Sequence, residues 1–138
     1  MFDNTRFTHE NILSLKENEI FVFASNRSGR HGLGAAKLAL QKFGAIYGRG
    51  EGLMGQCYAL PTKGYKMEVL SLDDIRGHIA VFLNVAKQIK DKYFLVTKIG
   101  CGLAGYKPSD IAPLFFSIRE KDYTNICLPE EFWKYAKF

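Results

Sequence analysis

Apolar and polar positions switch between two periods along this chain of 138 residues. EIFVFAS (19–25) is a short β-rich apolar run that stops at Ser25-Asn26; glycines follow, and then LGAAKLALQKF (33–43) carries apolar residues at helical spacing. QCYALPT (56–62) predicts a second strand, ended by Pro61. Over residues 72–90 the side chains Ile75, Ile79, Phe82, Leu83, Ala86 and Ile89 fall on one stripe of a long helix. Ser71, with Asp74 three residues on, reads as its capping box. YFLVTKI (93–99) is almost continuously apolar, the pattern of a strand buried on both faces. A short helix within 109–120, its first turn marked by Pro113, and a last strand over 123–129 complete the series. The aromatic tail EEFWKYAKF is expected to pack on the body.

Strands alternating with helices argue for an α/β sandwich around a largely parallel central sheet. In such sheets ligands bind beyond the carboxyl ends of the strands. The glycine loops 26–34 and 100–105 each follow a strand and precede a helix, so both are expected to present backbone N–H groups to one crevice. With no internal repeat, linker or low-complexity tract, residues 1–138 read as one domain.

Composition narrows the class. A chain that is 47% apolar and 24% charged has the makings of a packed core, not of a disordered tail. No run of about 20 apolar residues occurs and the first residues show no cleavage pattern, so the expectation is a soluble, cytoplasmic protein without a membrane partner. Cys57, Cys101 and Cys127 lack paired metal-ligand spacing, so neither a metal, a disulfide framework nor any cofactor is expected.

The net charge of +5 first points to a polyanion. Its distribution says otherwise. Residues 25–66 hold Arg27, Arg30, Lys37, Lys42, Arg49, Lys63 and Lys66 against the single acid Glu51, and the rest of the chain is close to balanced. Nine of the 13 glycines lie in the same segment, so the positive charge sits where the backbone is least encumbered. Capture of a small anion by loops fits this better than a nucleic acid, for which an aromatic array at strand spacing is also missing.

Gly32, Gly34, Ala35 and Ala36 let a phosphate approach the first helical turn, where free N–H groups favour an anion. GRHGLG is GxxGxG, so a dinucleotide fingerprint is weak, and Lys63 lacks the glycines of a Walker loop. Glycines that merely make a turn are the competing reading. Asn26 offers an amide able to donate to and accept from sugar hydroxyls. His31 reads as a solvated loop residue or a phosphate contact, while His9 and His78 carry no signal. In the second loop, Gly100, Gly102 and Gly105 resemble an anion-binding nest, Tyr106 is placed to lie against a ribose or base, and Cys101 is a small packed residue before it is a nucleophile. The segment 44–56 reads either as a flap, with Arg49 pairing with a phosphate and Tyr47 stacking on a base, or as a solvated turn.

A strand ending in Asn26 with GLGAA at a helix start, then YALPTK, then KIGCGLAGY, resembles a macro domain, the three-layer α/β/α module that binds ADP-ribose. The likeness is closest to the branch of terminal ADP-ribose protein glycohydrolases, whose stretches read GAGIA, a Thr-Lys pair after a strand, and RIGCGL, and it spans roughly residues 19–128. It implies that Gly32, Leu33, Gly34 and Ala35 line the pyrophosphate, with Ser25, Arg30 and His31 nearby. It also implies that Asn26 approaches the distal ribose and that Gly100, Cys101, Gly102, Leu103, Ala104, Gly105 and Tyr106 wrap both. Thr62 and Lys63 stand in the place of the Thr-Lys pair, whose lysine attacks the anomeric carbon in those enzymes. Ala104 stands where they have an aspartate, and alanine moves no proton. Glu51 and Asp110 are the carboxylates left to substitute for it.

The leading expectation is therefore a binder of ADP-ribose or of a nucleotide derived from it, acting as a reader or as a sponge for a signalling nucleotide, for instance in phage counter-defence. The alternative is an ADP-ribosyl glycohydrolase, or an enzyme of ADP-ribose 1″-phosphate, that works through Lys63. Nucleic-acid binding ranks last.

Overall fold

A computed structural model describes residues 6–116 and 124–135. Five strands, β1 (Glu19–Asn26), β2 (Gly52–Met54), β3 (Cys57–Lys63), β4 (Tyr93–Val96) and β5 (Ile126–Cys127), lie in the order β2-β3-β1-β4-β5. β3 and β4 flank β1 in parallel, β5 is parallel to β4, and β2 is antiparallel to β3. Along β1, Ile20 and Val22 join one buried cluster while Phe21 and Phe23 join another. A central strand that is apolar on both faces needs cover on both, and this dictates three layers.

One face is covered by α2 (Leu72–Gln88), α3 (Pro108–Phe115) and α4 (Glu130–Trp133). Ile75, Ile79, Phe82, Leu83 and Ala86 of α2 are all buried, as the sequence stripe requires. Phe82 meets the rings of Tyr58 at 5.0 Å and Phe94 at 5.6 Å edge-on, a geometry that adds to plain burial. Phe132 and Trp133 bring the C-terminal tail onto this layer, as its aromatic content predicts; residues 136–138 lie outside the described part. The other face is covered by α1 (Gly34–Leu38), which widens into a π-helical turn (Ala39–Phe43) ending at Gly44 with φ +88°. The Phe43 ring rests 5.0 Å from that of Phe21.

Several boundaries differ from the sequence expectation. β3 does not stop at Pro61 but runs to Lys63, because the β1–β3 register slips after the Ser25–Pro61 pair and a bulge accommodates a residue without an N–H. β2 was not expected; three residues in 44–56 form a hairpin with β3 around Gly55-Gln56. β4 covers only part of 93–99, since the N–H and hydroxyl of Thr97 both turn to the carbonyl of Val22 and end the ladder. Half-covered Leu95 and exposed Tyr93 show that this strand is not buried on both faces throughout. In α3 the first turn is made by Pro108, with Asp110 accepting from the Lys107 N–H, and Pro113 sits inside the helix. Residues 117–123 of the expected last helix and strand lie outside the described part.

The carboxyl ends of β1, β3 and β4 open on one edge of the sheet. The chain leaves β1 toward β3 on one side and later returns to β4 on the other, so the loops after β1 and β4 diverge around a switch point, where α/β sheets form crevices.

Candidate functional site

The loop after β1 is shaped by Asn26. Its side-chain oxygen accepts from the Arg30 N–H at 2.9 Å and from the Ser28 hydroxyl at 2.8 Å, and its amide nitrogen donates to the Arg30 carbonyl at 2.9 Å. The side chain expected to meet a sugar is thus largely spent on folding its own loop, with a single N–H left over.

A second support comes from residues 44–56. The Gly48 N–H donates to the Gly29 carbonyl at 2.9 Å, and His31 Nε2 donates to the Arg49 carbonyl at 2.9 Å. Gly29 and Gly50 permit the approach: a Cβ on Gly50 would stand 2.2 Å from the Asn26 carbonyl oxygen, and one on Gly29 2.3 Å from the Arg49 nitrogen. This corrects the solvated-turn reading, because backbone packed on backbone makes 44–56 a brace for the loop, while Tyr47 of the same segment stays 63% exposed on the side of the cavity formed with the second loop. His31 is likewise no solvated histidine: it is 1% exposed, edge-on to the Phe23 ring at 5.3 Å.

The second loop is held by its own turns. Cys101 N–H donates to the Lys98 carbonyl, Gly105 N–H to the Gly102 carbonyl and Tyr106 N–H to the Gly100 carbonyl, at 3.1, 3.0 and 2.9 Å. Gly100 and Gly105 take the positive φ these turns need. Among the described residues the N–H groups of Gly102, Leu103 and Ala104 meet no acceptor in the protein, nor do those of Gly32, Leu33, Gly34 and Ala35 at the start of α1. Amide donors left open on two facing loops are the donors an anion uses.

These donors surround a cavity of about 570 Å³. Ser25, Asn26, Arg30, Gly32, Leu33, Gly34, Ala35, Ala36, Tyr47, Thr62, Lys63, Gly100, Cys101, Gly102, Leu103 and Ala104 line it, so the structure brings most of the expected residues together. Leu33 and Leu103 stand at its mouth, 69% and 75% exposed. Four expected residues are not on the wall: Arg49 and Gly105 do not line it, His31 is buried, and Tyr106 packs on the core with its hydroxyl donating to the Leu70 carbonyl at 2.6 Å. Sequence reasoning did not assign Ala24, Met67, Thr97 and Lys98 to the site. Of these, Lys98 carried a usable signal, being a cation just beyond an apolar strand.

The lining carries Arg30, Lys63 and Lys98 and no carboxylate. Lys98 is already paired, with Glu131 at 2.7 Å and Glu10 at 3.4 Å; Glu131 hydrogen-bonded to it raises its pKa, and Lys98 lowers that of Glu131 in turn. Arg30 and Lys63 have no ion-pair partner among the described residues. Neither candidate carboxylate reaches the cavity: Glu51 is bound to His78 at 2.6 Å and Asp110 caps α3. Burial pushes the Cys101 thiol up to about 11, with Glu131 adding to the rise and Lys98 opposing it, so it is neutral and a poor nucleophile. A neighbouring cavity of about 440 Å³ shares the wall Gly34, Ala35, Thr97 and Lys98 and is lined on its other side by residues 8–13, Glu10 among them. No group of three or more potential metal ligands occurs among the described residues, and no helix there is long and apolar enough to cross a membrane.

No protein-family model matches this chain, and no curated protein does. Among solved structures, the chain is similar to a macrodomain protein from Streptomyces coelicolor, with a TM-score of 0.57 and 14% identity over 85% of this chain and 90% of that one. The fold is therefore a three-layer α/β/α macro-like fold with a mixed, largely parallel sheet.

Proposed function

We propose that this protein binds ADP-ribose, or a nucleotide derived from it, in the cavity between the 26–34 and 100–106 loops. The observation that carries the reading is the pair of facing amide clusters, Gly32 to Ala35 and Gly102 to Ala104, in a cavity lined by Arg30 and Lys63 and by no acid. A diphosphate is the group that can take hydrogen bonds from two such clusters at once. With the diphosphate over Gly34 and Ala35, the two adjoining cavities leave room for a nucleoside at one end and a ribose at the other. The macro-like fold supports the same ligand class.

Binding without turnover is the form of the activity the site favours. Glycoside cleavage ordinarily uses a carboxylic acid beside the scissile bond. Ala104 lines the cavity where the resembled enzymes carry an aspartate; no carboxylate is on that wall, and the one in the adjoining cavity, Glu10, is paired with Lys98 at 3.4 Å. Lys63 then serves as a phosphate or ribose contact, and the protein acts as a reader or a sequestering sponge. Isothermal titration calorimetry with ADP-ribose is expected to give one-site binding, with ADP-ribose recovered intact and protein-linked ADP-ribose left uncleaved. No heat with ADP-ribose, cyclic ADP-ribose variants or NAD would overturn the proposal, and release of ADP-ribose abolished by Lys63→Ala would replace it with the hydrolytic one.

A further inference from the structure

His78, on α2, joins two segments distant in sequence, and neither it nor its partners Arg27 and Glu51 line the cavity. Its Nδ1 lies 2.6 Å from Glu51 Oε2, and its Nε2 lies 3.3 Å from Arg27 Nη2 and 3.4 Å from Arg27 Nε. A carboxylate only accepts and a guanidinium only donates. The ring between them must therefore donate from Nδ1 and accept at Nε2, which is the neutral imidazole in one tautomer. Arg27 directly follows Asn26, and Glu51 follows Gly50, whose backbone packs on the Asn26 carbonyl. The same ring thus ties the root of the anion loop to its brace.

We propose that His78 is a positioning residue that holds the Asn26–Gly34 loop in its anion-binding shape through Arg27 and Glu51, and that protonating it releases Arg27 and slackens the loop. Protonation turns the Nε2 acceptor into a donor aimed at a guanidinium, so one hydrogen bond becomes a repulsion between like charges. The charged groups in contact with the ring are Glu51 and Arg27, and Asp74 stands one turn earlier on α2. Tyr58 of β3, whose phenol is buried and pushed up by burial and by the Glu51 charge, stays neutral throughout.

The ligand-affinity part rests on the proposed ADP-ribose site; the loop part does not, and the experiment separates them. Imidazole nitrogen NMR of the ligand-free protein is expected to show the Nδ1–H tautomer at His78. From about pH 8 to about pH 5.5, the range over which histidines change charge, the backbone amides of residues 27–31 should shift with it. In parallel, ADP-ribose affinity should fall about tenfold over that range. His78→Gln, which can donate to Glu51 and accept from Arg27, should keep the affinity and flatten the pH profile, whereas His78→Ala should lower it at every pH. An Nε2–H tautomer, amides that ignore the His78 titration, or a pH profile unchanged in His78→Gln would overturn the proposal. If ADP-ribose does not bind at all, the functional reading fails while the NMR arm still decides the role of His78.

Discussion

Asn26 and Arg30 exchange two hydrogen bonds, each 2.9 Å long, between the side chain of the first and the backbone of the second. The reciprocal pair closes the loop into a ring that turns the following amides toward the cavity. Removing it and changing its charge have separable effects. Asn26→Ala strips three buried or half-buried groups of their partners and is expected to cost about 2–3 kcal/mol in denaturant unfolding, with ADP-ribose binding lost. Asn26→Asp keeps both bonds to the side-chain oxygen, so stability falls by about 1 kcal/mol. The added negative charge on the cavity wall should still weaken ADP-ribose by about tenfold or more in calorimetry.

The brace can be tested without any ligand. A methyl group on Gly50 would overlap the backbone of Asn26 and Arg27, which have no flexible end to move aside. Gly50→Ala should cost about 2–3 kcal/mol. Gly48, unlike Gly50, has a positive φ, +94°, and open space around its Cβ position, so Gly48→Ala should cost about 1–2 kcal/mol from backbone strain alone. Equal losses in the two variants, read from urea unfolding midpoints, would mean that the contact between the loops is not tight.

The three cations of the cavity should contribute unequally. Arg30→Ala and Lys63→Ala each remove a charge that no acid neutralises, and each is expected to weaken ADP-ribose about tenfold at low salt while leaving the unfolding midpoint in place. Lys98 is held by Glu131 and Glu10, so Lys98→Ala should change affinity by less than either. Calorimetry on the three variants at two salt concentrations gives the ranking.

Much of this site is visible in one dimension because its donors are backbone groups, and glycines mark where a backbone is bare. Gly32, Gly34, Gly100 and Gly102 are legible for that reason, as is α2, whose stripe of apolar residues needs no partner to be recognised. What escapes is whatever depends on a second segment. Pro61 reads as a strand end until the bulge in β3, one residue after it, is known. The three residues of β2 are too few to show a period. Asn26 looks equally suited to a sugar or to its own loop, and only the position of Arg30 decides. His78 is silent in the sequence because its meaning comes from Arg27 and Glu51, 51 and 27 residues away.

High pH should unfold this protein by way of its buried acids. Burial pushes the thiol of Cys57 from 9.0 up to about 11, does the same to Cys101, and raises the phenol of Tyr58 as well. Each group is neutral in the fold and ionises more readily once unfolded. The unfolded chain therefore loses protons first as the pH climbs, and ionisation pulls the equilibrium toward it. The sign is fixed: the stabilising difference is complete below about pH 9 and is lost as the pH rises from there toward 11. Thermal melting followed from pH 7 to pH 11 should show a midpoint that falls steeply above pH 9. Replacing the fully buried Cys57 by Ala should make that fall shallower, at the cost of some stability at pH 7 from the lost packing. Iodoacetamide at pH 7.5 should label Cys57 only as fast as the protein opens, so a denaturant-independent rate equal to that of a free thiol would show that this cysteine is not shielded by the β-sheet.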